Sequence, residues 1–221
     1  MSTMNLNEQY KDDLMIKLLP VLRKGSFQTL KMDEISNVMD VSRATLYKYF
    51  SNREVIFQRL IEGLSDYIST MNFQEKDKQS STFGINFQEA FRQNVVIKLM
   101  ITKPFLNDLK LMYPNLGNLL QDTLETHDKK MKNFYLSGIH EGFFNEVNPI
   151  LLVLQDQMIF SFLDVQYLAK NKLSVSDVLK DFYELKRVST IKENQLEILD
   201  NKLMLPIFEE LTKKIESMIY S

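Results

Sequence analysis

A chain of 221 residues with 44% apolar and 25% charged side chains and a net charge of −2 has the material for a sizeable globular core. It holds no cysteine, which excludes disulfides, thiolate metal sites and cysteine nucleophiles and fits a reducing compartment. No apolar run approaches the roughly 18 residues of a membrane span, and the polar start lacks the basic-then-apolar pattern of a signal peptide, so a soluble cytoplasmic protein without a membrane partner is expected.

The most informative stretch is Met32–Phe50. Ile35, Val38 and Met39 recur at helical spacing and predict a first short helix with one buried face. Ser42 can cap a second helix by accepting a bond from a backbone N–H two or three residues on. In that helix Leu46 and Phe50 are i,i+4 neighbours and turn inward together. The opposite side then carries Ala44 and Lys48 with Thr45 beside them, and Tyr47 and Tyr49 flank the apolar stripe. Such a face suits the DNA major groove. Ala44 permits close approach, Lys48 can reach a phosphate or a guanine edge, and the tyrosine hydroxyls can bond phosphate oxygens.

A helical hairpin with an exposed lysine and tyrosines also occurs in domains that never meet nucleic acid, so charge is the next test. Val41–Arg53 carries Arg43, Lys48 and Arg53 and no acid, a net of +3. Residues 1–60 hold nine Lys/Arg against seven Asp/Glu, which leaves −4 for residues 61–221. A mildly basic head on an acidic body is consistent with nucleic-acid contact at one end. Ser51-Asn52-Arg53-Glu54 reads as a Ser-x-x-Glu capping box, placing Arg53 at a helix N-terminus, a natural seat for a phosphate.

Val41-Ser42-Arg43-Ala44-Thr45-Leu46-Tyr47-Lys48-Tyr49-Phe50-Ser51-Asn52-Arg53-Glu54 resembles the recognition helix and following turn of the Tet-repressor (TetR) family of bacterial transcription regulators. The likeness covers roughly residues 8–65 well and the remainder in architecture. It implies base or groove contacts from Arg43, Ala44 and Lys48, and phosphate contacts from Ser42, Thr45, Tyr47, Tyr49 and Arg53. Three residues depart from the family pattern. Asp40 stands at a turn position that usually holds glycine, although aspartate tolerates the left-handed conformation better than most residues. Lys31 replaces the usual Ser or Thr cap of the first motif helix, so that start is weakly specified unless Thr29 substitutes. Pro20 falls within the expected first helix, where an interior proline costs about 3 kcal/mol and would bend or split it near Ile16–Pro20.

Beyond Glu54 a long amphipathic helix is predicted to about Met71, with Val55, Ile56, Leu60, Leu64 and Ile68 buried. Gln74–Thr82 reads as a loop, and Asn86-Phe87-Gln88-Glu89 as a capping box for a helix ending before Pro104. A short helix over Phe105–Met112 and a long one over Asn115–Glu141 follow, the latter with Leu116, Leu119, Leu120, Leu124, Met131, Phe134 and Tyr135 as its apolar positions and Gly142 as its stop. Gly138-Ile139-His140-Glu141-Gly142-Phe143-Phe144-Asn145-Glu146-Val147-Asn148-Pro149 is similar to the Gly-x-x-x-Gly-x-Phe turn common between later helices of the same family. Pro149 suits the first turn of a helix to about Lys170, Ser174 caps another, and a final helix over Asn194–Ile219 is expected to be interrupted at Pro206. No strand-like alternation persists. The expected fold is all-α, a three-helix DNA-binding head (residues 1–52) on a larger helical body (residues 53–221).

The resemblance implies a homodimer in the cytoplasm that binds a double-stranded operator, most simply as a repressor, and that is released by a small-molecule effector held in the body. Candidate effector contacts are Phe91, Phe105, Tyr113, Met131, Phe134, Tyr135 and Phe160, with His127 as a polar anchor, although aromatic and methionine residues at helical spacing are more often plain core. Dimer contacts would come from Ile150, Leu154, Met158, Phe162 and Val165, and from Leu196, Leu199, Leu203, Ile207, Leu211 and Ile215. A second reading is a DNA-tethered interaction module without an effector. Catalysis is disfavoured. The two histidines, His127 and His140, lack metal-pair spacing, and no phosphate-binding glycine loop or nucleophile elbow is present, so no cofactor or metal is expected.

Overall fold

The computed structural model describes residues 3–25, 27–70, 80–158 and 165–219. Among them the chain forms helices α1 (Thr3–Leu22), α2 (Met32–Val38), α3 (Arg43–Tyr49), α4 (Arg53–Ser69), α5 (Ser80–Met100), α6 (Lys103–Met112), α7 (Pro114–His140), α8 (Pro149–Gln157), α9 (Val165–Asn171), α10 (Val175–Thr190) and α11 (Met204–Ile219). Short 3-10 turns occupy Phe27–Thr29, Glu193–Ile198 and Asn201–Leu203. Among the described residues there is no strand, only an isolated antiparallel bridge between Phe144 and Ile191. The all-α expectation holds.

Two compact units divide the chain. The first comprises Met1–Thr70 and Met100–Glu125, the second Met71–Leu99 and Thr126–Ser221. In the first unit Leu14, Leu18 and Leu22 of α1, Ile35 of α2, Leu46 of α3 and Ile56, Phe57 and Leu60 of α4 are buried together with Phe105 and Leu109 of α6. Phe57 stacks on Phe27 with ring centroids 5.0 Å apart and lies 5.1 Å from Tyr113. Burying each such ring contributes about 1.5 to 3 kcal/mol, which is how short helices of this head become stable. α1 runs without a break through Pro20, so the chain is not split there. The proline forfeits only the bond its own nitrogen would have donated to the Ile16 carbonyl, and helical bonding continues beyond it, with the Arg23 N–H donating to the Leu19 carbonyl at 3.0 Å.

The second unit is built round aromatic packing. Phe144 meets Phe134 edge-on at 5.3 Å and lies 5.8 Å from Tyr135, while Phe83 stacks on Phe143 at 5.7 Å. Gly138 makes this possible, because a β-carbon there would collide with the Phe144 ring. At the C-terminus of α7 the Gly138 carbonyl accepts bonds from the N–H groups of Phe143 and Phe144 at 2.8 and 3.0 Å, and Gly142 supplies the left-handed step at φ +75°. The Gly-x-x-x-Gly-x-Phe segment is therefore a helix stop that returns its phenylalanine onto its own helix.

A fully buried ion pair crosses this interior. Lys186 of α10, 0% exposed, places Nζ 2.6 Å from Oδ1 of Asp156 on α8, and the Tyr135 hydroxyl donates to Oδ2 of the same carboxylate at 2.7 Å. The ammonium also sits 5.0 Å from the Tyr135 ring centroid and 5.8 Å from that of Phe87. Burial first, and the neighbouring carboxylate second, hold the Tyr135 hydroxyl well above the usual phenol range.

Several sequence expectations shift. Val55 is exposed and the inward face of α4 instead includes Phe57 and Ile61. α5 begins at Ser80, not at the predicted cap near Asn86. Leu119 points outward, whereas Leu120, Met131, Phe134 and Tyr135 are buried. Pro206 lies in the first turn of α11, a position where proline loses no helical bond, and the interruption falls upstream at the 3-10 turns. On the C-terminal segment Leu199, Leu211 and Ile215 are buried within the chain, so they do not form the outward apolar row expected of them. Phe160 and Phe162, and the side chain of Val165, lie outside the described residues.

A buried charge without its partner is far more costly than the intact pair. Asp156→Ala is expected to lower unfolding stability by about 3 to 5 kcal/mol. The double change Asp156→Leu with Lys186→Met should recover most of that loss in parallel urea denaturation curves.

Candidate nucleic-acid interface

The start of α2 has no side-chain cap. Lys31 takes the cap position, and its backbone N–H donates to Oε2 of Glu34 at 2.7 Å, with Asp33 and Glu34 placing negative charge in the first turn. Thr29 lies in the preceding 3-10 turn and does not substitute as a cap. After α2 the chain reverses at Asp40, whose φ is +57°, so aspartate adopts the left-handed conformation inferred for this position. Lys17 donates to the Met39 carbonyl at 3.1 Å and secures the same turn.

Ser42 caps α3 as expected. Its Oγ accepts the Thr45 N–H at 3.0 Å and lies 2.8 Å from the Thr45 hydroxyl. Leu46 and Phe50 are buried, while Ser42, Arg43, Ala44, Tyr47 and Lys48 are exposed and Thr45 and Tyr49 are half-buried. The outward set thus forms one continuous face. Arg43 pairs with Asp33 of α2, with both side chains largely in water. Exposed pairs contribute only about 0 to 1 kcal/mol, so a phosphate can displace this one. Lys48 lies over the Tyr49 ring, with Nζ 5.6 Å from its centroid, and Tyr49 in turn meets Tyr10 of α1 at 5.4 Å. Neither Asp33 nor Tyr10 was legible as a neighbour, because nothing in local spacing brings them to α3.

Arg53 sits differently from the other cations. Its helix is capped by Asn52, whose side chain accepts the Val55 N–H at 3.0 Å, and not by Ser51 as the Ser-x-x-Glu pattern suggested. Its Nε donates to the Tyr113 hydroxyl at 3.0 Å, and Nη1 donates to the carbonyls of Gln28 and Leu30, each at 2.9 Å. Three of its five N–H groups are therefore spent inside the protein.

The predicted effector contacts divide between the two units. Phe105 and Tyr113 belong to the first, where Phe105 packs on Phe27 at 5.7 Å. Phe91, His127, Met131, Phe134 and Tyr135 are all buried in the second. There Phe91 meets Tyr183 edge-on at 5.1 Å, and the Asn94 amide donates to the Met131 sulfur at 3.9 Å. His127 has Nδ1 3.5 Å from Oδ1 of Asp128, and its buried Nε2 has no hydrogen-bond partner. His140 is exposed on the same helix. Among the described residues no group of three or more His, Asp or Glu could hold a metal ion, and no helix is long and apolar enough to cross a membrane.

No family model matches the chain, and no curated protein matches it. Solved structures do. A TetR-family transcriptional regulator structure from Rhodococcus sp. aligns with 82% of this chain and 98% of its own, at 14% identity and a TM-score of 0.52. The ketosteroid transcriptional regulator KstR2 of Mycobacterium tuberculosis aligns over 83% and 95%, at 15% identity and a TM-score of 0.51. This chain has the TetR fold. Apo AibR shares it, at 10% identity and a TM-score of 0.55 over 80% of this chain and 97% of that one. Within this fold the helix that carries the sequence signature, α3, turns its polar face to solvent.

Removal of the cap oxygen by Ser42→Ala exposes an unsatisfied N–H at the head of α3. It is expected to cost about 1 kcal/mol in urea denaturation, without change in the mean helix content of the native protein by circular dichroism.

Proposed function

We propose that this protein is a DNA-binding transcriptional regulator of the cytoplasm, acting as a homodimeric repressor that leaves its operator when a small molecule binds the body. The observation that carries the reading is α3: its apolar edge, Leu46 and Phe50, is sealed in the head, and the opposite face offers a cation, a small residue and hydroxyls to solvent. In this proposal residues 1–52 read the duplex and residues 53–221 serve effector binding and dimerisation. Ala44 brings the helix axis close to the groove floor, Lys48 and Arg43 face base edges and phosphates, and Ser42, Thr45, Tyr47 and Tyr49 fix register on phosphate oxygens.

An outward apolar row on α8 supports the homodimer. Ile150, Leu151, Leu154 and Met158 are 46–57% exposed, and Leu185 and Val188 of α10 are exposed as well. The two helices are already joined by the Asp156–Lys186 pair and by the Gln155 amide donating to the Ser189 hydroxyl at 3.4 Å. A two-fold pairing of this face would present two reading helices to paired half-sites, as a near-palindromic operator requires. An effector acts only through different affinities for the operator-bound and released conformations. The residues of the second unit, Phe91, His127, Met131, Phe134 and Tyr135, are its proposed contacts.

In titrations against an operator selected from random-sequence duplexes, Lys48→Ala is expected to weaken binding and to reduce the slope of log K against log salt by about 0.9. Unchanged affinity and slope for both Lys48→Ala and Tyr47→Ala would remove α3 from the groove. Leu154→Glu is expected to convert the dimer to monomers in sedimentation velocity runs at micromolar protein concentration.

A further inference from the structure

Arg53 stands at the edge of a positive head, yet its protons turn inward, and the groups it holds lead back to the reading helix. The Gln28 and Leu30 carbonyls that accept from Nη1 bracket the end of the 3-10 turn immediately before Lys31. Lys31 begins α2 without a side-chain cap, so the place where α2 starts is set by what grips the turn ahead of it. α2 in turn sets α3 through the tight turn at Asp40, where the Val41 N–H donates to the Ser36 carbonyl at 3.0 Å and Lys17 holds the Met39 carbonyl.

The same turn is gripped from α6. Asp108 accepts the Phe27 N–H at 3.2 Å on Oδ2 and the Gln28 amide at 3.3 Å on Oδ1. The Thr102 hydroxyl, whose oxygen also caps α6, donates to the Arg23 carbonyl at 2.6 Å. Gly25, at φ +76°, lets the backbone lie against Pro104, where a β-carbon would approach the proline ring to 2.8 Å. Tyr113, the residue that ends α6, receives the Arg53 Nε–H. Every residue from 23 to 30 that bonds through these contacts is thus anchored to α4 or α6.

We propose that Arg53, Tyr113 and Asp108 form a brace that positions the reading helix, so that they govern sequence-specific DNA affinity without touching DNA. Arg53 is then a positioning residue and not a phosphate contact. Base readout depends on hydrogen bonds that weaken steeply beyond about 3.2 Å, so a small displacement of α2 and α3 erodes specific binding. Attraction to the phosphate backbone at large depends on the number of neutralised phosphates and is not altered by such a displacement. The inference rests on the DNA-reading proposal above, and the test separates the two.

Wild-type protein is first used to select duplexes from a random-sequence pool. Failure to enrich any sequence overturns the DNA-reading proposal, and the brace as a device for DNA reading falls with it. Given an enriched duplex, wild type, Arg53→Met, Tyr113→Phe, Asp108→Asn and Lys48→Ala are titrated at several salt concentrations on that duplex and on an unrelated one. Arg53→Met and Asp108→Asn are expected to lose about tenfold in affinity for the enriched duplex, and Tyr113→Phe about threefold, as lost charge-assisted bonds would give. Their salt slopes and their binding to the unrelated duplex should match wild type, while Lys48→Ala loses slope. The brace is overturned if Arg53→Met loses slope as Lys48→Ala does. Wild-type binding of the enriched duplex by Tyr113→Phe and Asp108→Asn overturns it equally. Should Arg53→Met fail to fold, as judged by its thermal melt, the Tyr113→Phe and Asp108→Asn results decide.

Discussion

A seven-residue helix has no independent stability in water, because its nucleation cost exceeds what so few backbone bonds return. Everything the head can do depends on supplying α3 with that stability from outside. Two buried side chains and one hydroxyl do so: Leu46 and Phe50 on one edge, and the Ser42 oxygen at the N-terminus. All three lie on the inner edge or at the end of the helix, which leaves the outer face unconstrained by folding. Arg43, Ala44, Tyr47 and Lys48 are therefore chosen by something other than the core.

The same division explains what could be read in the sequence. Apolar periodicity placed α2, α3, α4 and α7, and end signals placed others or sharpened their limits: Ser42 and Ser174 as caps of α3 and α10, Gly142 as the stop of α7 and Pro149 in the first turn of α8. Features made by residues distant in the chain were not legible. Arg53 looks like a phosphate ligand in its local setting, and only the fold brings the Gln28 and Leu30 carbonyls and Tyr113 to its guanidinium. The start of α5 was missed because Ser80-Ser81-Thr82-Phe83-Gly84 has poor helix propensity. Tertiary packing overrides it: Phe83 joins the aromatic cluster and Gly84 lies close to Leu199. The apolar pattern of 194–219 was periodic enough, but it could not distinguish a face turned into its own unit from one turned outward. Leu211 and Ile215 belong to the first kind.

In the second unit, the interior is uncommon for its polar content. Asp156 accepts the Tyr135 hydroxyl and is ion-paired with Lys186 inside an aromatic cluster, while Nζ of Lys186, Nε2 of His127 and Oγ1 of Thr190 are buried without a hydrogen-bond partner. A hydrophobic replacement of the pair would fill the same volume at less desolvation cost, so the pair favours one arrangement of α7, α8 and α10 over its rivals more than it adds to stability. That preference bears on the outward row of α8, because Asp156 and Leu154 sit on the same two turns of one helix. Holding the acid inward fixes which side of α8 remains uncovered.

The contact between Arg43 and Asp33 has a consequence for how such a head would search a genome. Any duplex that takes the guanidinium must evict a carboxylate already seated on it, so docking is an exchange of anions and not a simple gain of one. Random sequence, offering a passing phosphate in poor alignment, recovers little beyond what the acid provided. A site whose geometry gives the arginine a well-aligned, two-pronged partner repays the exchange in full. On the proposed reading of α3, the resident aspartate would act as a threshold that shortens residence on poorly aligned DNA more than on a well-aligned site.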